Sequence, residues 1–290
     1  MKLWLVLCGL ALAASAQAAI SVQDATGQTV TLAKPARRII SLAPHATELL
    51  FAAGAGKQVV ATVEYSDHPA AAKQLPRVGS FTGFSLEAVL RQQPDLVVAW
   101  QDGGAPRELE RLKRLGVPVF ISHPLQPGDV ALEIDKLGRL AGTQAEAERA
   151  ALQYRQRLAA LQQRYGGRAP VRVFYQLSPS PIFTISGKSY IDSLIRACGG
   201  VNVFADLPLP APQVSTASVV AAQPQAIVAT DEASLAMWRR WKTLPAVAQG
   251  ALFTLSDDAI SIPGPRLVDG AAALCERLDT ARQRLGLTAR

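Results

Sequence analysis

The chain has 290 residues, of which 49% are hydrophobic and 18% charged, and its formal net charge is +7. This length is enough for two lobes that each bury a hydrophobic core. Lys and Arg are scattered along the chain and form no basic patch interleaved with aromatic residues, so the composition argues against nucleic-acid binding.

The first 18 residues have the pattern of a secretory signal peptide. Lys2 supplies a positive charge, residues 3–14 form an apolar run, and Ala16-Gln17-Ala18 gives a cleavage pattern of small residues. Lipidation of Cys8 is not expected, because a large residue precedes it and the apolar run continues beyond it. The sequence therefore predicts an exported, soluble mature protein.

Removal of the signal peptide leaves two cysteines, Cys198 and Cys275. In an oxidising compartment such a pair forms either one disulfide, which would lie in the second half of the chain, or two separately buried thiols. The chain has no Cys-x-x-Cys motif, so a redox or zinc-ribbon function has no support.

The first half of the mature chain alternates between apolar strand patterns and helical patterns. This alternation predicts a mainly parallel sheet. The predicted elements are a hairpin at residues 22–32, strands at 38–42, 59–63 and 117–122, and helices at 44–54, 106–115 and from about 129.

Residues 143–165 are predicted to form one long helix. Thr143 and Glu146 have the spacing of a capping box, and apolar residues then recur in steps of four and three from Ala147 to Tyr165. Such a helix spans roughly 34 Å, which is longer than a crossover needs. Its position midway along the chain favours a rigid connector, although a long surface helix has the same pattern.

The second half repeats the alternation of strands and helices. The predicted elements are strands at residues 171–177, 183–186 and 252–255, and helices at 190–197, 232–241 and from about 266.

One stretch occurs twice, at residues 85–100 and 215–230, with six of sixteen positions identical. Each copy has a Ser suited to cap a helix, a Pro that stops the helix, and a β-branched apolar run typical of a buried strand. Helix–proline–strand is also common in α/β proteins. The alternative is that the chain contains two similar lobes.

Ligands of open parallel sheets bind beyond the carboxyl ends of the strands. The residues predicted at such positions include several aromatic side chains, which favours an apolar cleft between two facing sheet edges. These residues are His45, Tyr65, Phe81, Trp100, Phe183 and Asp258.

Enzyme motifs are absent from the sequence, which has no nucleophile elbow, phosphate loop or dinucleotide-binding glycine pattern. A metal site could use His45, His68 and His123 with Asp67 or Glu64. None of the histidines has the helical spacing that makes such a site specific, so we expect no metal site.

Several motifs resemble those of the periplasmic cobalamin-binding proteins of ABC importers. They are Arg38-Ile-Ile-Ser-Leu-Ala-Pro, Tyr65-Ser-Asp-His-Pro, Ser85-Leu-Glu, Leu115-Gly-Val-Pro-Val and Cys198-Gly-Gly-Val-Asn-Val-Phe. The resemblance extends from Arg38 to the C-terminal helix. The wider helical-backbone family of binding proteins, which also carries haem and ferric siderophores, shares these motifs individually.

The resemblance implies two Rossmann-like α/β lobes joined by a single long backbone helix. The implied division is a signal peptide at residues 1–18, an N-terminal lobe at 19–142, the connecting helix at 143–165 and a C-terminal lobe at 166–290. It also implies a periplasmic, monomeric, non-enzymatic carrier that delivers cobalamin or a related corrinoid to an inner-membrane ABC permease. Neither a catalytic cofactor nor a nucleic-acid partner is expected.

By this resemblance, Cys198 and Cys275 correspond to the cysteines of the family disulfide. The corrin ring is sandwiched between positions that match Tyr65, Phe81, Trp100 and Phe183, with Asp258 at the far rim and His45 in the pocket.

Three departures from the family pattern leave the exact ligand open. A pocket Trp is replaced by Ala211, a pocket Arg by Ile262, and a small uncharged residue by His45. Cobinamide, a ferric siderophore, and haem with His45 or Tyr65 as an axial ligand are alternatives. A zinc-binding protein or metal-dependent enzyme is the alternative from another class.

A fourth departure concerns transporter docking. In the family, one glutamate on each lobe contacts the permease. Glu87 occupies the first position, whereas Ala217 occupies the second. Asp231 or Glu232 is a candidate to replace the missing carboxylate.

Overall fold

The computed structural model of the protein describes residues 19–255 and 258–287. The expected signal peptide and Cys8 lie outside these ranges. Within them, no helix combines the length and the apolar character needed to cross a membrane.

The first half forms a four-stranded sheet flanked by helices. The strands of this half are β1 (Ile20–Gln23), β2 (Thr29–Leu32), β3 (Ile39–Ser41), β4 (Val59–Ala61), β5 (Gly79–Ser80), β6 (Gly83–Phe84), β7 (Leu96–Trp100) and β8 (Val119–Ser122), of which β1–β2 and β5–β6 form separate hairpins. Its helices are α1 (Pro44–Ala52), α2 (Leu86–Arg91), α3 (Pro106–Arg114) and α4 (Asp129–Ala141). The sheet has the order β4-β3-β7-β8 with all strands parallel. These strands are nearly completely buried, which explains their unbroken apolar sequences.

The two hairpins of this half had different sequence signals. The β1–β2 pair is antiparallel, which confirms the hairpin predicted around the turn at Gly27. The β5–β6 pair was not predicted, because two strands of two residues carry no measurable alternation.

The second half forms a five-stranded sheet. Its strands are β9 (Val171–Pro179), β10 (Ile182–Thr184), β11 (Gly200–Asn202), β12 (Ala226–Ala229) and β13 (Leu252–Thr254), and the remaining helices are α5 (Gln144–Tyr165), α6 (Tyr190–Ala197), α7 (Thr216–Ala221), α8 (Glu232–Ala236), α9 (Pro245–Ala248) and α10 (Leu267–Arg284). Strand β9 pairs in parallel with β11 and β12, β12 pairs in parallel with β13, and β10 is antiparallel at the edge. Two α/β lobes with the long helix α5 between them confirm the predicted fold class.

The helix predicted at residues 232–241 is shorter than expected. Helix α8 ends at Ala236, and the chain then turns so that Trp238 enters the core. The indole N–H of Trp238 donates a hydrogen bond to Oε1 of Gln176 at 2.6 Å. Burial of this large side chain therefore outweighs continuation of the helix.

The repeated stretch adopts the same local structure in both lobes. Ser85 caps α2 and Ser215 caps α7, each accepting a hydrogen bond from a backbone N–H three residues on. Gln93 and Gln223, which precede the two prolines, both have left-handed backbone conformations with φ of 48° and 45°. The proline disfavours right-handed helical geometry at the preceding residue, so the same sequence gives the same turn twice.

Each lobe also ties this turn to its neighbouring strand through an arginine. Arg38 donates to the carbonyl of Gln92 at 2.7 and 2.9 Å, and Arg172 donates to the carbonyl of Ala222 at 2.6 Å. Gln92 and Ala222 are equivalent positions of the repeat. The internal similarity therefore extends beyond the repeated stretch to its packing.

Helix α5 has the predicted length but not the predicted cap. The hydroxyl of Thr143 donates to the carbonyl of Ala53 at 2.6 Å instead of capping the helix, and Glu146 lies 3.6 Å from Arg149. The capping-box prediction is therefore wrong, because a tertiary contact with the end of α1 takes the hydroxyl. The apolar seam is confirmed in that Tyr154 and Tyr165 are buried within it.

Cys198, at the end of α6, and Cys275, in α10, form a disulfide with an S–S distance of 1.99 Å. Both residues are fully buried. The disulfide prediction is confirmed.

Side-chain hydrogen bonds between described residues connect the lobes directly. The guanidinium of Arg266 binds Oε1 of Glu48 at 2.8 and 3.1 Å, and the hydroxyl of Ser193 donates to Oε1 of Gln126 at 2.8 Å. The first contact is almost fully buried on the Glu48 side.

Candidate functional site

A cavity of about 740 Å³ lies between the two lobes, at the carboxyl ends of the strands. From the first lobe its lining includes Pro44, His45, Phe81, Trp100, Asp102 and His123. From the second lobe it includes Leu177, Lys188, Tyr190, Ala211, Ile262 and Pro263. This position is the one that parallel sheets use for ligands.

Three rings form the wall on the first lobe. Trp100 ends β7, and its ring centre lies 6.1 Å from Phe81 and 5.8 Å from His45. The His45 ring meets Trp100 edge-on at 77°. The Phe81 ring is tilted by 52° from Trp100, so the cluster is a mainly aromatic wall in which the face of a single ring can stack on a planar ligand.

His45, in the first turn of α1, is joined to a buried polar chain. Its Nε2 lies 2.9 Å from the hydroxyl of Ser122, and that hydroxyl donates a hydrogen bond to the carboxylate of Glu133. The other oxygen of Glu133 accepts from the backbone N–H of His123 at 2.8 Å.

Burial determines the charges of His45 and Glu133. Desolvation lowers the pKa of His45 to about 3, helped by nearby His123, so the ring is neutral at physiological pH. Desolvation raises the pKa of Glu133 to about 7 against the hydrogen bonds that it accepts.

A second polar pair lies at the more open side of the cavity. Nε2 of His123 is 3.1 Å from Oδ2 of Asp102, whose side chain is 58% exposed. These two residues follow β8 and β7 and therefore occupy the strand-end positions at which ligands bind.

The wall on the second lobe is also mainly apolar. Tyr190 opens α6, and burial raises the pKa of its phenol, which stays protonated at neutral pH. Lys188 makes no ion pair within the part of the chain that the structure describes.

The cavity brings together three of the six predicted ligand-binding residues, namely His45, Phe81 and Trp100. The other three lie outside its lining. Tyr65 is 70% exposed with a left-handed backbone at φ 63°, Phe183 lies in the edge strand β10, and Asp258 binds the guanidinium of Arg266 at 2.7 Å.

Sequence reasoning missed several lining residues. Asp102 could have been found by the strand-end rule, since it lies two residues beyond β7, and His123 was weighed only as a metal ligand. Lys188 lies just before helix α6 and Tyr190 is its first residue. No simple sequence signal marks a ligand site at the start of a helix that follows an edge strand.

The three histidines do not form a cluster. His45 and His123 line the cavity, whereas His68 lies in a separate depression beside Glu48 and Arg266. Among residues 19–255 and 258–287, no group of three or more His, Cys, Asp or Glu side chains is arranged to hold a metal ion.

The proposed docking glutamate has the exposure that this role requires. Glu87 lies in the first turn of α2 with its side chain 83% exposed, and it pairs with Arg91 at 2.7 Å. In the second lobe, Asp231 caps α8 and Glu232 pairs with Arg239.

Residues 39–259 match the family model described as periplasmic binding protein. The chain is 40% identical over 253 residues to the vitamin B12-binding protein of Vibrio cholerae, covering 86% of this chain and 91% of that protein. It is 38% identical over 254 residues to the protein of the same name from Vibrio parahaemolyticus, covering 87% and 92% of the two chains.

Solved structures of periplasmic binding proteins also match the chain. The crystal structure of the periplasmic vitamin B12 binding protein of Vibrio cholerae matches with a TM-score of 0.79 and 40% identity, covering 86% of this chain and 99% of that one. A periplasmic haem-binding protein from Roseiflexus sp. RS-1 matches with a TM-score of 0.74 and 26% identity, covering 84% and 99%.

Proposed function

The chain belongs to the periplasmic binding protein family, and we propose that it captures a corrinoid and delivers it to an ABC transporter in the inner membrane. The corrinoid is cobalamin or a precursor such as cobinamide. The protein is a monomeric carrier and not an enzyme in this proposal, so it requires no catalytic cofactor or metal.

The observation that carries the proposal is the aromatic-walled cavity between the lobes. Trp100, Phe81 and Tyr190 provide apolar faces on opposite sides of about 740 Å³, which suits a large planar ring. The identity to vitamin B12-binding proteins supports a corrin as that ring.

We also propose that residues 19–142 and 166–290 are the two lobes and that residues 143–165 connect them. The predicted contacts outside the cavity lining, Tyr65, Phe183 and Asp258, are assigned to ligand groups that extend past its rim. Phe183 supports this assignment, because it bridges to Gln213, two residues beyond the lining residue Ala211.

Trp100→Ala is expected to weaken cobalamin binding about thirtyfold, because the variant loses the largest flat surface of the cavity wall. Calorimetric titration of the purified protein with cobalamin measures this change. Visible spectroscopy and mass spectrometry of the material that copurifies with the protein identify the natural ligand independently.

Trp241→Ala is the matched control, since Trp241 is half-buried in the second lobe but outside the cavity lining. It should lower stability and leave cobalamin affinity within twofold of the unmodified protein. Equal affinities for all three proteins, or no binding of any corrinoid, would contradict the proposal.

Glu87→Ala is expected to slow corrinoid delivery about fivefold and to leave corrinoid affinity unchanged. The exposed carboxylate of Glu87 faces solvent, where a cationic permease surface could pair with it. Transport into vesicles that contain the cognate permease, measured beside ligand titration, separates the two effects.

Arg91→Ala tests whether the effect belongs to the carboxylate itself, because it removes the partner of Glu87 and keeps Glu87. Its delivery rate should equal or exceed that of the unmodified protein. Ala217→Glu, which restores a carboxylate at the second docking position, should increase delivery.

Haem transport is the second candidate. Lys188 lines the cavity, makes no ion pair with any residue in the described ranges and would suit a propionate, and a haem-binding protein is among the similar solved structures at 26% identity. Titration with haem under the conditions used for cobalamin decides between the two, and tighter binding of haem would favour this alternative.

A further inference from the structure

Three buried polar side chains lead from the interior of the first lobe to the ligand cavity. His45, Ser122 and Glu133 are 4%, 0% and 5% exposed. Stacking of a planar ring on Trp100 does not require them. Buried polar chains are costly unless fully paired, so this one calls for a separate explanation.

The number of protons shared by the side chains of His45, Ser122 and Glu133 determines the tautomer of His45. Above the pKa of Glu133, the hydroxyl of Ser122 donates its single proton in a hydrogen bond to the ionised carboxylate. The hydroxyl oxygen can then only accept from the ring nitrogen 2.9 Å away. A neutral imidazole has one N–H, so that proton must lie on Nε2 of His45.

The other ring nitrogen of His45 is left for the cavity. Nδ1 makes no hydrogen bond to any residue within the described ranges, and it is not among their buried polar atoms without a partner. His45 lines the cavity. With the proton on Nε2, Nδ1 is therefore a hydrogen-bond acceptor that is open to the ligand.

We propose that Ser122 and Glu133 are positioning residues that hold His45 in the Nε2–H tautomer, so that Nδ1 is a fixed acceptor for an amide N–H of the ligand. This inference rests on the proposed function, and it names a chemical feature by which the cavity recognises its ligand.

The fixed acceptor distinguishes two classes of macrocycle. The edge of a corrin ring carries primary amides, which donate N–H groups, whereas the edge of haem carries carboxylates, which at neutral pH only accept. A carboxylate oxygen that faces Nδ1 has no proton to share and is repelled. His45 therefore favours amide-bearing rings over carboxylate-bearing rings.

Glu133→Gln reverses the donor-to-acceptor direction of the hydrogen bonds among His45, Ser122 and residue 133, with almost no change in side-chain shape. The amide oxygen can still accept from the backbone N–H of His123, which leaves the amide NH₂ facing Ser122. The NH₂ group donates to the hydroxyl oxygen of Ser122, and the Ser122 O–H then donates a hydrogen bond to Nε2, which accepts. The proton of His45 must then lie on Nδ1, which becomes a donor.

Nitrogen-15 NMR of the ligand-free protein, with histidine labelled, reads the tautomer directly. Spectra are recorded above pH 8, where Glu133 with its pKa of about 7 is ionised. We expect Nε2–H in the unmodified protein, Nδ1–H in Glu133→Gln, and a mixture in Ser122→Ala. Nδ1–H in the unmodified protein, or no change in Glu133→Gln, would overturn the proposal.

Binding provides the second readout. Glu133→Gln should weaken cobinamide binding roughly tenfold, because two donors then face each other, while haem binding is unchanged or tighter. Unchanged cobinamide affinity despite the change of tautomer would overturn the recognition step. If the unmodified protein binds no corrinoid, the proposed function fails, and NMR still decides whether the chain sets the tautomer.

Discussion

Arg266→Ala is expected to lower the free energy of unfolding by about 3 kcal/mol, because it leaves a carboxylate buried without its cation. Glu48 is 5% exposed, and Arg266 supplies two hydrogen bonds to its Oε1 across the boundary between the lobes. We place the loss at the low end for broken buried pairs, since water reaches the Arg266 side chain, which is 21% exposed. Urea unfolding followed by circular dichroism measures it.

The loss should depend on pH in a defined direction. Burial raises the pKa of Glu48, and Arg266 opposes this rise, so the pKa rises further in Arg266→Ala. An acid with a raised pKa in the folded state stabilises the protein below its unfolded pKa and loses that contribution as the pH rises through its folded pKa. The deficit of the variant should therefore be larger at pH 8 than at pH 5.

Two variants test the cause. The double variant Glu48→Gln, Arg266→Ala should recover part of the lost stability and lose the pH dependence, because no buried charge remains. Arg157→Ala breaks an exposed pair with Asp269, which also connects α10 to a neighbouring helix, and should cost less than about 1 kcal/mol. Equal losses for Arg157→Ala and Arg266→Ala would contradict the explanation.

Removal of the disulfide by the double variant Cys198→Ala, Cys275→Ala should lower the free energy of unfolding by about 4 kcal/mol, from the freedom that the unfolded chain regains. The bridge closes a loop between residues 77 positions apart. It also holds the end of α6 against α10, where the guanidinium of Arg282 binds the carbonyls of Cys198 and Gly199 at 2.7 and 2.9 Å.

A reductant provides the control for the disulfide prediction. In urea unfolding at equilibrium, dithiothreitol should shift the midpoint of the unmodified protein toward that of the double variant and leave the double variant unchanged. If the two proteins unfold at the same urea concentration without reductant, the bridge does not stabilise this lobe.

The elements that the sequence predicted well are those with a local physical cause. The 3.6-residue periodicity of α5 and the Ser-to-Pro signals of the repeat each act within a few residues, and the structure contains both. Thr143 shows the limit of such reasoning. Its spacing from Glu146 matches a capping box, but its hydroxyl is used by Ala53, which is 90 residues away in sequence.

The candidate site was predicted in part for the same reason. Trp100 and His45 lie at or just beyond the ends of β7 and β3, where the strand-end rule applies. The hydrogen-bonded series of side chains from His45 through Ser122 to Glu133 could not be predicted, because Ser122 resembles an ordinary strand residue. Glu133 resembles a solvent-facing residue of a charged helix, and only tertiary packing buries its side chain against Ser122 and His123.

Under the proposed function, helix α5 has a consequence for the rate of transport. It is an unbroken helix without loop hinges, and the contacts from Arg266 to Glu48 and from Ser193 to Gln126 also join the lobes. We therefore expect empty and loaded proteins to have nearly the same outline. A permease that recognises this outline is occupied by empty carriers as readily as by loaded ones, so uptake should follow the fraction of carriers that are loaded. When carriers outnumber ligand molecules, producing more carrier lowers the fraction that is loaded. More carrier would then slow uptake instead of increasing it.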